Sequence, residues 1–140
     1  MLVSTRGRYA LRVMVDLAEH PQAGYIPLKD ITDRQEVSEK YLESIIVVLS
    51  RDGLVSGVRG KGGGYRLTRK PSEYTVGSIL RVLDETLAPV ACIAQEENSC
   101  TRAATCKTLP MWQKFNKVVN DFFDGISLED LVEGRISIDG

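Results

Sequence analysis

The sequence predicts a mainly α fold with one small β-hairpin: a winged helix-turn-helix followed by a long dimerisation helix. Three observations predict it. Two short amphipathic segments meet at a tight break between residues 28 and 51. Two apolar runs flank a tip of glycine and positive charge at residues 54–67. An apolar stripe then covers the segment after Pro110.

The elements follow in order. Ser4 or Thr5 caps a helix beginning near Arg6, in which Ala10, Val13, Met14, Leu17 and Ala18 recur at helical spacing, with Arg12, Asp16 and Glu19 as polar residues between. Pro21 and Gly24 end it. His20, the single histidine, is expected at the exposed helix end, where it suits the dipole, rather than as a ligand or catalyst. Ile26-Pro27-Leu28 opens a second helix with Pro27 in its first turn; Leu28 and Ile31 face inward and the helix ends near Gln35. Glu36-Val37-Ser38 is the break. Ser38 caps a third helix from Glu39 to about Arg51, with Tyr41, Leu42, Ile45, Val48 and Leu49 as its stripe and Gly53 at the C′ stop. Two helices at a tight turn and then a hairpin make the winged motif, with the third helix in the recognition position.

In the hairpin, Leu54, Val55 and Val58 precede the tip and Tyr65 and Leu67 follow it. Four of the five residues from Gly60 to Gly64 are glycine, which lets the chain turn with φ > 0. Arg59 and Lys61 stand on this projection, a shape suited to lying along a polyanion. The plainer reading is a soluble surface hairpin. A nucleotide-cradling loop is excluded, because it needs Gly-Lys-Ser/Thr opening a helix, and here Gly64 leads into Tyr65-Arg66-Leu67.

Pro71-Ser72-Glu73-Tyr74 is a joint. Thr75 caps a helix with Val76, Ile79, Leu80 and Leu83 on one face, closed by Pro89. Residues 88–108 have no periodicity. From Pro110 a long helix carries Met111, Trp112, Phe115, Val118, Val119 and Phe122, and Gly125 ends it. Ser127-Leu128-Glu129-Asp130 resembles a capping box for a last short helix. The stripe is wide for so small a chain, so part of it is expected to meet a second copy; the alternative is an internal core helix. The expected division is a winged head at residues 1–70 and a cysteine loop with dimerisation helices at 71–140.

Composition bounds the function. The 140 residues are 43% apolar and carry a net charge of −1. That near-neutrality hides an asymmetry: residues 51–70 hold six basic side chains and one acidic, while residues 71–140 hold six basic and eleven acidic. Such a chain would bind DNA in one orientation only. Exposed groups of the third helix at Ser38, Glu39, Lys40 and Glu43 are placed for base edges and phosphates, with Arg59, Gly60 and Lys61 at the hairpin tip. Lys40 suits phosphate or guanine, and Glu43 can accept from cytosine N4; Glu43 also reads as one more solvated helix charge. No apolar run approaches a membrane span, and Met1-Leu2-Val3-Ser4-Thr5-Arg6 has no apolar leader core. The expectation is therefore a cytoplasmic protein with no membrane partner.

The three cysteines, Cys92, Cys100 and Cys106, are separated by seven and five intervening residues in the aperiodic segment. An odd number in a reducing compartment argues against a disulfide framework. Paired Cys-x-x-Cys knuckles are absent. Wide spacing on a loop suits an iron–sulfur cluster held by three thiolates, with one iron position left for another ligand. Three free thiols sensing oxidants is the competing reading. A cysteine nucleophile is disfavoured because the single histidine lies in another helix, and no enzyme is expected.

Taken together, Ser4-Thr5-Arg6-Gly7-Arg8-Tyr9-Ala10, Pro27-Leu28-Lys29-Asp30-Ile31, Tyr41-Leu42-Glu43, Gly53-Leu54-Val55 and Val58-Arg59-Gly60-Lys61-Gly62-Gly63-Gly64-Tyr65 are specific, and with them the chain resembles the IscR-like iron–sulfur cluster regulators of the Rrf2 family. The resemblance covers nearly the whole chain. It implies a homodimer with winged heads on a partly palindromic duplex operator. It places Lys40, Glu43 and Arg59 at DNA-reading positions, Arg59 in the minor groove. It also implies an iron–sulfur cluster on Cys92, Cys100 and Cys106, two-iron in preference to four-iron. The chain departs from the family in three places. The first cysteine gap is seven rather than five. Leu109 stands where one branch has a histidine ligand, and Arg8 where a nitric-oxide-sensing branch has an aspartate. Glu96 and Glu97 are the local carboxylates for the remaining position. Two functions stay open: a DNA-binding regulator sensing iron–sulfur status, oxidant or nitric oxide through the cluster, and a thiol or metal-binding protein whose helix-turn-helix serves a protein partner.

Overall fold

The computed structural model describes residues 3–84, 86–94 and 101–139. Cys100, Glu96 and Glu97 therefore lie outside the described residues. Helix α1 (Thr5–Glu19) starts where Ser4 accepts a hydrogen bond from the Gly7 amide at 2.9 Å. Its buried face is Ala10, Val13, Met14 and Leu17. Helices α2 (Leu28–Gln35) and α3 (Glu39–Arg51) pack on it and on each other. Strands β1 (Val55–Val58) and β2 (Gly64–Leu67) pair antiparallel, Val55 opposite Leu67 and Val58 opposite Gly64. Helices α4 (Val76–Asp84), α5 (Leu109–Asp124) and α6 (Leu128–Val132) complete the chain.

The main core joins α1 and α3 to Ile31, Leu54, Val55, Tyr74, Ile79 and Leu128. It thus continues past the joint at residue 70. Tyr74 is fully buried, and its hydroxyl donates to the Leu54 carbonyl at 2.7 Å while accepting from the Thr68 and Arg69 amides at 3.0 and 3.1 Å. A buried phenol so satisfied fixes the base of the hairpin to the head. A second cluster, Val76, Leu80 and Leu87, receives Val119 and Phe123 from α5 and Ile126 and Leu131 from beyond it.

Several expectations shift. Ile26 does not open α2; its amide and carbonyl pair with those of Tyr65, both at 2.8 Å, as a one-residue third rung beside β2. Pro27 caps α2 from outside rather than sitting in its first turn. In α3, Ile46 is fully buried while Tyr41 and Val48 are only half-buried. α4 stops at Asp84, ahead of Pro89, and Leu109 rather than Pro110 begins α5. Asp16 is 2% exposed, not part of the polar face of α1. The capping box at α6 is present, Ser127 and Asp130 each accepting from the other's amide at 2.9 Å.

Candidate nucleic-acid interface

The geometry of the head begins with the break between α2 and α3. Glu36 takes left-handed backbone angles (φ 54°, ψ 45°) and donates its amide to Thr32, closing α2. Ser38 then accepts from the Tyr41 amide at 3.2 Å, opening α3. The capping oxygen fills an otherwise unpaired helix donor, which leaves Glu39, Lys40 and Glu43 as exposed groups of the first turns.

Asp16 sets where that break lies. Its carboxylate receives Arg34 through Nε (3.0 Å) and Nη2 (2.7 Å), and Gln35 through Nε2 (2.9 Å). Burial pushes this carboxyl up, but the hydrogen bonds from Arg34 and Gln35 and the charges of Arg34 and His20 outweigh it and hold it below the usual aspartate range. Gln35 in turn accepts from Arg12 at 2.9 Å, Arg12 lies 4.9 Å from the Tyr9 ring centroid, and Tyr9 meets Tyr41 edge-on at 5.7 Å. One continuous set of contacts thus runs from the end of α2 to the first turn of α3. Sequence spacing could not show it, because Asp16 and Arg34 sit on different helices with no periodic link.

At the hairpin tip, Gly63 donates to the Gly60 carbonyl at 3.0 Å, and Gly62 sits at φ 80°, the value the third position of a type II turn requires. At Gly64 any Cβ would run into the Ile26 carbonyl, so glycine lets β2 reach its third rung. Arg59 and Lys61 are exposed, and among the described residues no carboxylate lies within ion-pair distance of either, nor of Lys40. Between α3 and the hairpin runs a groove of about 380 Å³, in which Ser50, Arg51 and Arg59 stand beside Val47 and Val58. Val47, Ser50 and Arg51 are groove residues that the apolar stripe of α3 does not mark. The signal available was the spacing 43, 47, 51 on one face of the helix.

Of the cysteines, Cys92 lies on a 3₁₀ turn, Ala91–Ile93, that packs against α5, and Cys106 lies three residues before α5 begins; both are half-buried free thiols. The Thr108 hydroxyl, 3.3 Å from Cys106 Sγ, lowers that thiol below the ordinary cysteine range, helped by the Thr108 and Leu109 amides and by Arg102. Both thiols are soft donors of the kind an iron–sulfur group takes, but among the described residues no three His, Cys, Asp or Glu side chains are gathered into a metal site. Arg8 is exposed on α1 and Leu109 is the first residue of α5.

A break of this geometry, a capped helix with a polar exposed first turn, and a cationic hairpin beside it define a winged helix-turn-helix regulator of transcription. The sequence profile of Rrf2, described as an iron-dependent transcriptional regulator, matches residues 3–134, and the chain belongs to that family. It is similar to the HTH-type transcriptional regulator IscR of Aliivibrio salmonicida (41% identical, spanning 94% of this chain and 77% of the relative) and to that of Pectobacterium atrosepticum (38%, 96% and 81%). Among solved structures it resembles CymR, the global cysteine regulator of B. subtilis (TM-score 0.77, 35% identical, 95% of this chain and 97% of the other). It also resembles T. potens IscR (TM-score 0.72, 38% identical, 97% and 89%). These relatives are regulators, not enzymes. No helix among the described residues is long and apolar enough to cross a membrane.

Proposed function

We propose that the chain works as a homodimer on a partly palindromic operator, reading DNA with α3 and the hairpin and sensing iron–sulfur, oxidative or nitrosative status through a cluster on Cys92, Cys100 and Cys106. The observation that carries the DNA reading is the pair of exposed cations Arg59 and Lys61, with no ion-pair partner among the described residues, on a hairpin that packs beside α3, whose capped first turn is itself exposed. Ser38, Glu39, Lys40 and Glu43 face the major groove, Gly60 lets the tip approach closely, and two heads meet half-sites about one helical turn apart. Residues 1–70 supply this head and residues 71–140 the sensing and pairing elements.

Cys92, Cys100 and Cys106 would hold the cluster, which when bound supplies an iron centre that oxygen or nitric oxide attacks. The chain's own part is to set the thiolates at the entrance of α5, so that order there bears on how α5 meets its copy and hence on the spacing of the two α3 helices. The fourth position falls to a carboxylate such as Glu96 or Glu97, to water or to a small thiol. A second reading, a thiol switch without metal, is favoured by the lowered Cys106 thiol.

Two measurements test this. Arg59→Ala is expected to weaken specific operator binding by about 1–3 kcal/mol; unchanged affinity at physiological salt removes the hairpin as a reader. Iron and acid-labile sulfide, assayed per chain after anaerobic preparation, are expected together and are lost in each Cys→Ala variant. Zinc instead, or no metal with three titratable thiols, leaves the thiol switch.

A further inference from the structure

At the base of the hairpin, between the C-terminal end of α1 and the end of β2, the surface folds in to a cleft of about 570 Å³. That lies within the range of roughly 300–1,000 Å³ typical of small-molecule sites. It shares no residue with the proposed DNA face or the cysteine segment. Pro21, Leu67 and Pro71 give it an apolar wall, Leu17 and Ala18 border it but are nearly buried, and Arg66, Arg69 and Lys70 line it with positive charge.

Two of the three cations are held by aromatic rings rather than by carboxylates. The Arg66 guanidinium lies 4.5 Å from the Tyr25 ring centroid and that of Arg69 lies 5.2 Å from the ring of Tyr74, itself fixed by its buried hydroxyl. Stacking restrains a guanidinium but leaves its N–H donors and its charge available. Among the described residues no carboxylate lies within ion-pair distance of Arg66, Arg69 or Lys70, and Glu73 is the single acidic residue lining the cleft. His20 also lines it. Its Nδ1 is 2.7 Å from the Asp16 carbonyl, which only accepts, so Nδ1 carries the proton.

Each part of the cleft alone would suit a different ligand. Inorganic phosphate would meet the cations and leave the apolar wall wet. A neutral hydrocarbon would cover the wall and leave three charges facing it. A duplex backbone would meet the exposed cations and leave the apolar wall uncovered. We propose that the cleft binds a small organic anion, a carboxylate or phosphate ester carried on an apolar body, with the head at Arg66, Arg69 and Lys70 and the body against Pro21 and Leu67.

The test is calorimetric titration of the full chain, without DNA, using octanoate, octyl phosphate and octanol as probes. Saturable binding of one anion per chain, at least about tenfold tighter than octanol, is expected, each charge-assisted hydrogen bond being worth that much or more. Binding of octanoate alone makes the natural ligand a carboxylate, and of octyl phosphate alone a phosphate ester. The double variant Arg69→Glu, Lys70→Glu is expected to weaken the anion at least about tenfold with an unchanged thermal melt. Lys70→Glu alone, at an exposed side chain, serves if the double variant unfolds. Equal binding of octanol and octanoate, undiminished binding by the charge-reversed protein, or no binding of either anion overturns the assignment.

Discussion

Helices α3 and α5 are similar in pattern and opposite in outcome. Both are amphipathic, 13 and 16 residues long, with an apolar residue at nearly every third or fourth position. α3 buries Leu42, Ile45, Ile46 and Leu49 completely, whereas no residue of α5 is buried. The difference is in what each helix meets. α3 lies against α1, α2 and β1, which close over its stripe. α5 is held along one side only, by Val119 and Phe123 on the second cluster and by Arg81, whose guanidinium grips Asp124 at 2.7 and 2.9 Å and Asn120 at 2.6 Å. Its other side leaves Met111 at 55%, Phe115 at 44%, Val118 at 56% and Phe122 at 58% exposure. These residues are spaced four, three and four apart, the seam of a helix that packs on another helix. An apolar pattern in sequence therefore says that a face wants burial; the packed chain says which half has found it.

The largest expected effect breaks α5 at its open side. Phe115→Asp with Phe122→Asp is expected to yield a soluble monomer by sedimentation, because neither side chain belongs to an internal cluster, and to lower operator affinity by about a thousandfold as the two heads part. A stable monomer of the unmutated chain at micromolar concentration would refute the pairing. Val119→Asp separates the two sides of the helix: Val119 packs on the chain's own second cluster, so it is expected to lower the melting temperature rather than only split the dimer.

The next effect is in the closed helix. Leu49→Ala removes a fully buried side chain and is expected to cost about 3 kcal/mol in denaturant unfolding, within the range for such cavities. Val118→Ala, at an exposed position of α5, is expected to leave unfolding of the isolated subunit within about 0.5 kcal/mol.

Asp16 gives the third. Asp16→Asn keeps the shape and removes the charge that Arg34 and Gln35 converge on, at an expected cost of about 2 kcal/mol, less than for a fully buried pair because Arg34 is partly solvated. Its carboxyl titrates below its ordinary range in the folded head. The stabilisation is therefore complete above the unfolded aspartate value near pH 4, and disappears as pH falls through the lowered folded value. The gap between native and variant stability is expected to close on acidification below about pH 4. A gap independent of pH would mean that the charge is not what matters at this site.

How much of this was legible beforehand follows from the range over which each interaction acts. Caps and stops are local, so Ser4, Ser38, Gly53 and the Ser127–Asp130 box were readable directly. The hairpin was readable because glycine and charge at residues 59–64 have few other uses. The third rung at Ile26 was not, since one residue carries no periodicity, and Ile26 looked like the start of a helix. Asp16 has the pattern of a surface residue, because an acidic side chain among apolar ones has that default and its partner is 18 residues away. For α5 the stripe was visible but not its division: Phe115 and Val119 differ by one turn in sequence and face different neighbours. The packing of the turn that carries Cys92 against α5 joins elements across an aperiodic segment, which spacing does not encode.

The smallest effect distinguishes the two cations of the hairpin, and so sharpens what a closed head offers to DNA. Arg59 directly follows β1, whose backbone is held by the ladder to β2, and it lines the groove against α3. Lys61 lies within the turn itself, between Gly60 and Gly62, both at positive φ, and is not among the residues lining that groove. A cation held at a fixed place can discriminate between groove shapes, while one on a free tip meets phosphate wherever it runs. Lys61→Ala is accordingly expected to weaken operator and random duplex alike, by about 1 kcal/mol or less, and to reduce the slope of log affinity against log salt by about one. Arg59→Ala should weaken the operator more than random duplex. Titrations of both variants on both duplexes at several salt concentrations give the four slopes. Loss of discrimination in Lys61→Ala, with Arg59→Ala merely shifting the salt slope, would exchange the two roles and place the reading group at the tip rather than in the groove.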